Sequence, residues 1–300
     1  MAAQSTDQRR EWRAPVLGER RVLDLPSGRI AYHDVGSGPT IVFVHGLLVN
    51  ANLWRKVVER LSGDFRCVVL DLPLGSHLLP LAPGTDNTPK AVATMVADAI
   101  DALELEDVTL VGNDSGGTLS QFVVTTRPER IGRLVLTSCD YRDNFPPKLF
   151  SYFTPVAKAP LLMYLMFQPM RFRAPRRSPI AFGWLTKRPI DRDAEDSYVF
   201  PGLQDRAIRE DARRFILGAD KADTNAAADL LPKFDKPALI AWSGDDRAFP
   251  VEDAHGLAGD LPNSRLEFVE DAYTFSMEDN PAHLSELIAS FVREPEAARS

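Results

Sequence analysis

Residues 111–117 read VGNDSGG, and this stretch decides the fold class of the chain. A glycine-rich turn between an apolar strand-like run and a helix-period segment is typical of a nucleophile elbow, which presents one side chain above a parallel sheet. Such a turn needs small residues two places before and two places after the presented residue, because backbone packs closely there. Gly112 and Gly116 hold those places around Asp114. The register therefore predicts that Asp114 is presented, and not its neighbour Ser115. A plain glycine-rich turn with an Asp helix cap is the structural alternative.

The rest of the chain alternates strand-like and helix-like segments, as α/β proteins do. Short continuous apolar runs predict strands that are buried on both faces. Residues 41–44 and 67–70 are such runs, and residues 108–111, 134–136, 238–242 and 266–269 repeat the strand signal, with Thr109 and Glu267 as their polar members. Thr88 and Pro89 form a helix-start signal, and apolar residues follow at helical spacing as far as Leu103. The pattern predicts a mostly parallel sheet flanked by helices.

The alternation breaks between residues 141 and 234, where the chain is rich in proline and predicts helices but no strand. A long insertion into a compact domain is usually functional, for example as a lid over a site. We therefore expect a helical cap at residues 141–234, inserted into a core of residues 18–140 and 235–296. Residues 1–17 are expected to form a flexible lead-in.

Two features of this insertion call for separate interpretation. Residues 161–167 are apolar nearly all round, which predicts a buried helix that lines an apolar substrate pocket. A basic stretch follows, with members Arg171, Arg173, Arg176, Arg177, Lys187 and Arg188. Basic stretches usually form a solvated face, and an anion-binding or membrane-surface role is the weaker alternative.

Composition excludes several classes of protein. The 300 residues are 44% hydrophobic and 26% charged, which argues against a disordered chain or a fibrous repeat. A net charge of −7 gives no general attraction to nucleic acid. The longest apolar run, residues 160–167, is too short to span a bilayer, and the N-terminal residues show no secretory signal, so a cytoplasmic protein is expected. Cys67 and Cys139 are expected to be buried free thiols.

Residues 44–48 read VHGLL and end an earlier strand. Together with the elbow and with residues 244–246, they resemble the α/β-hydrolase fold family, in the branch whose nucleophile is an Asp. That branch includes epoxide hydrolases and haloalkane dehalogenases. The resemblance implies an α/β-hydrolase fold with an inserted helical cap, and an oxyanion hole formed by the backbone amides of Leu47 and Ser115. It also implies that His45 is a structural residue of its loop.

The resemblance further assigns the acid that orients the catalytic base. Asp246, four residues before Pro250, takes that position, and Asp140 is the fallback acid. The base itself departs from the family pattern, because Tyr273 stands where the family has His. A tyrosine with an ordinary pKa near 10 is a poor general base at neutral pH. An ester formed on Asp114 therefore has no evident water activator.

A displaced base is a further hypothesis. Of the five histidines, His77 lies in the loop that leaves a central strand at its carboxyl end, where open α/β sheets place their ligands. A loop histidine without a catalytic function is the plain alternative.

These motifs favour a hydrolase of a small, mostly apolar substrate, most like an epoxide hydrolase. Dehalogenation is less favoured, because neither Leu47 nor Ser115 offers a side-chain N–H to a halide. Epoxide opening would draw on cap tyrosines, although packing is the plain role of each; those available are Tyr141, Tyr152, Tyr164 and Tyr198. Two alternatives stay open: a lyase or isomerase on the same fold, and a non-catalytic ligand-binding relative. The sequence predicts no cofactor, no metal site and no nucleic-acid partner, and a homodimer stays open.

Overall fold

Eight strands form the central sheet of the computed structural model, which describes residues 13–294. In chain order they are β1 (Arg21–Leu25), β2 (Gly28–Val35), β3 (Thr40–Val44), β4 (Arg66–Asp71), β5 (Val108–Asp114), β6 (Ile131–Cys139), β7 (Ala238–Ser243) and β8 (Ser264–Val269). Across the sheet their order is β1-β2-β4-β3-β5-β6-β7-β8. The β1–β2 and β2–β4 pairs are antiparallel, and all other pairs are parallel. The predicted mostly parallel sheet is confirmed.

Helices of very different length pack around this sheet. They are α1 (Arg55–Leu61), α2 (Pro89–Ala102), α3 (Ser115–Thr126), α4 (Phe153–Ala157), α5 (Pro160–Phe167), α6 (Arg173–Arg176), α7 (Arg192–Gln204), α8 (Arg206–Leu217), α9 (Lys221–Ala228), α10 (Val251–Asp260), α11 (Ser276–Asp279) and α12 (Pro281–Arg293). Helix α2 begins where its start signal predicts, because the Thr88 side chain accepts a hydrogen bond from the Ala91 amide at 3.4 Å.

The core lies where the central strands meet the helices. Strands β3 to β7 are almost wholly buried, as continuous apolar runs require when both faces of a sheet are covered. Cys67 and Cys139 lie within this core as free thiols, as predicted. A Cβ atom on Gly117 would overlap the Cys139 side chain, so the glycine lets helix α3 approach strand β6 closely.

The chain before β1 is more firmly placed than its polar sequence predicts. Residues 1–12 and 295–300 lie outside the described residues, so most of the expected lead-in and the last two residues of the expected core are not described. Residues 13–17, in contrast, are packed. Arg13 donates to buried Asp71 at 2.5 Å, and Leu17 is fully buried. The flexible lead-in therefore does not include these five residues, because a buried carboxylate holds the arginine.

The segment between β6 and β7, residues 140–237, contains helices α4 to α9 and no strand among its residues, all of which the structure describes. Helix α5 is predicted to be buried and to line an apolar pocket; Met166 and Phe167 do line an apolar cavity, but the helix is not buried. Helix α5 buries Met163 and Phe167, which pack toward helix α8, and Met166 is partly buried, but most of its other apolar side chains are exposed. The exposed side chains are Leu161, Leu162, Tyr164 and Leu165. Apolar residues all round a helix predict burial only where neighbouring elements cover every side, and here they cover one.

Among residues 13–294, no helix is both long enough and apolar enough to cross a membrane.

Candidate active site

The elbow at the end of β5 presents Asp114. Asp114 has φ +54° and ψ −134°, a conformation that is strained for a residue with a side chain. The flanking glycines permit the turn: a Cβ atom on Gly112 would overlap the Gly116 carbonyl, and one on Gly116 would overlap the Val44 carbonyl. Ser115 is already the first residue of helix α3. The geometry thus places Asp114 at the tip, the residue that the glycine register selects.

Two backbone amides point at the Asp114 carboxyl group. The amides of Leu47 and Ser115 both donate to it, and the Ser115 hydroxyl lies 3.5 Å from Oδ1. A Cβ atom on Gly46 would overlap Oδ2, so this glycine is needed for the loop after β3 to approach the carboxyl group. The residues expected to form an oxyanion hole therefore surround the carboxyl group of Asp114 itself.

The electrostatics of Asp114 are unusual for a carboxyl group. Burial raises its pKa to about 7, and the nearby charge of Asp246 adds to the rise. The amides of Ser115 and Leu47 act in the opposite direction, because they stabilise the ionised form. The protonated form of Asp114 is therefore favoured over a wider pH range than that of an ordinary aspartate.

Asp246 lies in the loop after β7, and one of its two carboxyl oxygens accepts three hydrogen bonds. Oδ1 accepts from the Ala248 amide at 2.8 Å, the Phe249 amide at 2.9 Å and the Thr274 hydroxyl at 2.9 Å. Oδ2 is buried and has no hydrogen-bond partner among residues 13–294. Burial raises the pKa of the group, and the donors to Oδ1 together with the nearby Ser138 hydroxyl act in the opposite direction. A buried carboxylate oxygen without a partner is costly, and such groups often have a functional reason.

Tyr273 does not face this acid. Its neighbour Thr274 contacts Asp246, whereas the Tyr273 ring lies 5.2 Å from Lys187 Nζ and 4.7 Å from the guanidinium carbon of Arg247. In the structure the position beside the acid belongs to Thr274, so the assignment of Tyr273 to that position is corrected by one residue.

Backbone contacts explain which of the two side chains turns inward. The Tyr273 carbonyl accepts from Ser243 at 2.7 Å, and its amide donates to Asp279 at 3.0 Å. The Thr274 carbonyl accepts from Asn113 at 2.9 Å, next to the elbow. These contacts fix the peptide orientation at a point where the local sequence offers two polar side chains in a row.

Asp140, the fallback acid, is also fully buried close to Asp114. Its Oδ2 accepts from Thr118 at 3.1 Å, and its Oδ1 has no hydrogen-bond partner within the described chain. Burial, followed by the charge of Asp114, raises its pKa well above the ordinary value. Three carboxyl groups thus interact around the elbow, and like charges in one site favour shared protonation.

His77 is held in place by two contacts. Its Nδ1 accepts from the Gly75 amide at 3.2 Å, and its Nε2 donates to Asp211 Oδ2 at 2.9 Å. The side chain is buried and does not line the cavity above Asp114. His77 therefore joins the loop after β4 to helix α8, and the geometry does not support it as a displaced base.

His45 is also occupied on both ring nitrogens. Nδ1 donates to the Gly46 carbonyl at 2.9 Å, and Nε2 accepts from the Leu72 amide at 2.9 Å. Burial lowers its pKa to about 4, so the ring is neutral. These contacts give His45 the structural role expected of it.

A cavity of about 990 Å³, partly open to solvent, lies above Asp114. Its wall is strongly apolar and includes six phenylalanines: Phe145, Phe150, Phe153, Phe167, Phe182 and Phe215. Polar side chains are few, with Asp114 and Ser115 at the base and two tyrosines in the wall. Of its lining residues in the described chain, none is a Trp or an Asn that could donate to a halide.

The two wall tyrosines are already engaged. Tyr152 donates to the Ile180 carbonyl at 2.6 Å, and the Tyr198 hydroxyl lies 3.5 Å from Glu278. Burial raises the pKa of Tyr152 to about 12 and also raises that of Tyr198. Tyr141 and Tyr164 do not line the cavity. Within residues 13–294, no cluster of His, Cys, Asp and Glu has the arrangement of a metal site.

Sequence reasoning missed Thr274. No local signal distinguishes it from Tyr273, since both are polar and both follow β8. Only its contact with Asp246, 28 residues earlier in the chain, marks it.

Comparison with known proteins supports the fold described above. A sequence model of the alpha/beta hydrolase fold family matches residues 39–281. An uncharacterized hydrolase of Bacillus subtilis, YugF, is 28% identical over 85% of this chain and 90% of its own length. Haloalkane dehalogenase 2 of Mycobacterium tuberculosis is 28% identical over 90% of this chain and 93% of its own. The cis-3-alkyl-4-alkyloxetan-2-one decarboxylase of Shewanella oneidensis is 25% identical over 93% and 89%.

Solved structures show the same fold. The epoxide hydrolase CorEH superposes with a TM-score of 0.74 at 17% identity, covering 91% of this chain and 98% of its own. An alpha/beta hydrolase fold protein from Burkholderia ambifaria superposes with a TM-score of 0.76 at 21% identity, covering 91% of this chain and 97% of its own.

Proposed function

The chain belongs to the α/β-hydrolase fold family, and on that premise we propose that it is a hydrolase whose Asp114 carboxylate attacks an electrophilic carbon of a mostly apolar molecule. One observation carries this proposal: the Leu47 and Ser115 amides donate to the Asp114 carboxyl group. In a covalent mechanism of this kind, the ester carbonyl formed is that of Asp114 itself. An oxyanion hole must then surround this side chain, as the two amides do.

The first step fits an epoxide. Asp114 Oδ attacks a ring carbon, the carbon–oxygen bond of the epoxide breaks, and the electron pair leaves on the epoxide oxygen, which takes a proton. Tyr152 and Tyr198 are the phenol groups in the wall, and either would have to leave its present partner to supply that proton. The apolar wall favours substrates with hydrocarbon substituents.

The second step, attack of water on the ester, needs a base. Thr274 occupies the place beside the acid and is no base at neutral pH. Asp246 Oδ2 is buried, accepts no hydrogen bond from residues 13–294 and belongs to a group whose pKa is raised by burial. We assign to this oxygen the proton of the attacking water, so that Asp246 acts directly instead of orienting a histidine.

A lyase reaction is the second candidate, and the absence of a histidine base beside Asp246 favours it. The Shewanella relative is named as a decarboxylase of oxetan-2-ones, which are four-membered lactones. Asp114 attack on the saturated ring carbon bonded to the ring oxygen, and not on the carbonyl carbon, would break the alkyl–oxygen bond and release a carboxylate. Loss of carbon dioxide would then form the alkene and expel Asp114 as carboxylate. Neither step needs water or a proton donor.

One experiment separates these reactions. The protein is incubated in H₂¹⁸O with a long-chain terminal epoxide or with a cis-dialkyl four-membered lactone, and intact mass and products are measured. Formation of the diol, together with ¹⁸O in the Asp114 carboxyl group of the recovered protein, supports the hydrolase reaction. A persistent adduct on Asp114 identifies the nucleophile but shows that the hydrolytic step fails.

The lactone provides the other decisive outcome. Formation of alkene and carbon dioxide from the lactone, with no diol from the epoxide, would contradict the hydrolase proposal and support the lyase reaction. No adduct and no product from either compound would contradict covalent attack and favour a non-catalytic binding protein. Asp114→Asn serves as the control that must give neither adduct nor product.

A further inference from the structure

The exposed apolar side chains of this protein are concentrated in one place. Nine large apolar side chains are exposed among residues 13–294, and six of them lie between residues 161 and 180. These six, which we call the apolar patch, are Leu161 (65% exposed), Leu162 (47%), Tyr164 (42%), Leu165 (51%), Phe172 (64%) and Ile180 (58%). Exposed apolar side chains concentrated in one short stretch of chain are unusual on a soluble protein and point to a contact surface.

The same part of the chain is strongly basic. Residues 144–190 contain eight lysines and arginines and no aspartate or glutamate, whereas the whole chain carries −7. Some of these cations are neutralised by other elements: Arg176 pairs with Glu195 and Asp196, Lys187 with Asp245, and Arg188 with Asp271. Four others are exposed around the patch, namely Lys158, Arg171, Arg173 and Arg177, of which Arg173 lies 3.3 Å from Glu195.

The apolar patch continues into the cavity above Asp114. Ile180 is 58% exposed and also lines the cavity. Met166 and Met170, which lie between the patch residues in sequence, are partly exposed and line the cavity as well. The entrance and the patch therefore share one surface.

We propose that this surface docks on an anionic lipid bilayer, so that the cavity mouth faces the membrane. Helix α5 has eight residues, too few to cross a bilayer but enough to lie along it with Leu161 and Leu165, one turn apart, on the same side. The exposed arginines would lie among anionic headgroups, as positive side chains beside an interfacial helix do. An apolar substrate dissolved in the membrane would then enter the cavity without crossing water.

Charge argues against a second copy of the chain as the occupant. A two-fold interface brings the same patch of both subunits together, so the basic residues around the patch would face their own copies. A lipid surface with negative headgroups complements them instead.

The test measures binding to vesicles and does not depend on catalysis. The full-length protein is floated with vesicles of phosphatidylcholine alone or with about one-third phosphatidylglycerol, at low and high salt. We expect binding to the anionic vesicles that weakens as salt rises. Leu161→Glu with Leu165→Glu should lower the bound fraction at least about tenfold, because two charges would have to enter the acyl boundary. Arg171→Ala with Arg177→Ala should remove most of the preference for anionic lipid.

A matched control carries the same added charge elsewhere. Val22→Glu with Phe268→Glu alters two exposed apolar residues on strands β1 and β8, and it should bind vesicles like the parent. Asp114→Asn should also bind like the parent, which keeps docking separate from chemistry.

Three results would overturn the proposal. The parent protein could fail to bind anionic vesicles, or the helix α5 double variant could bind them as the parent does. Light scattering could instead reveal a dimer that the helix α5 variant dissociates and the strand variant does not, and the patch would then be an interface between copies.

Discussion

On the nucleophile side of the site, two backbone amides donate to the Asp114 carboxyl group, whereas on the base side Asp246 Oδ2 is buried without a partner among residues 13–294. The first side is complete in the protein alone. The second side has an acceptor in place but lacks the donor that an imidazole would supply. Thr274 instead satisfies the oxygen of Asp246 that is already hydrogen-bonded to two amides. In the proposed mechanism, the difference would make attack by Asp114 the preorganised step and release of the product the step that depends on Asp246.

Removal of the nucleophile should have the largest effect. Asp114→Asn should lower the rate of adduct formation by at least about a thousandfold, because an amide is a far weaker nucleophile than a carboxylate. Intact mass spectrometry with a reactive epoxide measures this rate. Asp245→Asn, which changes an exposed neighbour of the acid, is the control and should form adduct at the parent rate. Equal adduct formation in the Asp114 variant would assign the nucleophile elsewhere.

Supplying a base at residue 274 should have the next largest effect. Thr274→His would place an imidazole beside Asp246, and a general base contributes roughly 100- to 10,000-fold to such a step. Single-turnover hydrolysis of the Asp114 ester measures the gain, with a thermal melt to confirm that the buried site accepts the larger ring.

Tyr273→His is the matched control for this change. Its side chain would take the place of a ring that lies against Lys187 and Arg247, so ester hydrolysis should stay near the parent rate. A gain in the Tyr273 variant and none in the Thr274 variant would mean that the two residues exchange roles in solution.

The nucleophile side could be predicted from sequence, because its constraints are local. Gly112 and Gly116 lie two residues on either side of Asp114, and each is required by a backbone contact within the turn or with strand β3. The base side could not be predicted to the residue, because the choice between Tyr273 and Thr274 depends on contacts with Asn113, Ser243 and Asp279. These contacts exist only after the sheet has formed.

Helix α5 shows a different limit. Its all-round apolar composition predicts burial, and composition alone cannot tell whether other protein elements cover the helix. Met163 and Phe167 are buried within the inserted segment and Met166 packs against them, whereas Leu161 and Leu165 are exposed. Strands β3 to β7 were predictable because neighbouring strands and helices cover such runs from both sides, whereas the edge strand β8 leaves Phe268 exposed.

The raised pKa of Asp114 should be visible in stability. The native pKa of about 7 lies above the ordinary 3.8, so between about pH 4 and pH 7 the native state binds more protons than the unfolded state. The unfolding free energy of the parent should therefore fall as pH rises through this window. Asp114→Asn removes this titration and should be more stable than the parent at pH 8, by up to about 4 kcal/mol.

Urea unfolding of both proteins at pH 4 and pH 8 measures this difference. Asp24→Asn, at a well-exposed carboxylate, is the control and should leave the slope unchanged. A stability difference between the parent and Asp114→Asn that stays constant from pH 4 to pH 7 would show that the native pKa of Asp114 is not raised.

The smallest effect on catalysis is expected for His77→Ala, which should lower stability and leave the rate of adduct formation nearly unchanged. His77→Ala leaves the Gly75 amide without its acceptor and removes one donor from Asp211, which keeps contacts with the Leu81 amide and Arg214. Loss of buried hydrogen bonds of this kind costs about 1–3 kcal/mol, which chemical denaturation can measure. The rate of Asp114 adduct formation per folded molecule should stay within about twofold of the parent, because the ring lies outside the cavity.

His255→Ala, at an exposed histidine on helix α10, is the control and should alter stability by less than about 0.5 kcal/mol. If folded His77→Ala formed the adduct normally but released product more than about tenfold slower, His77 would be the missing base, and the two sides of the site would be equally complete.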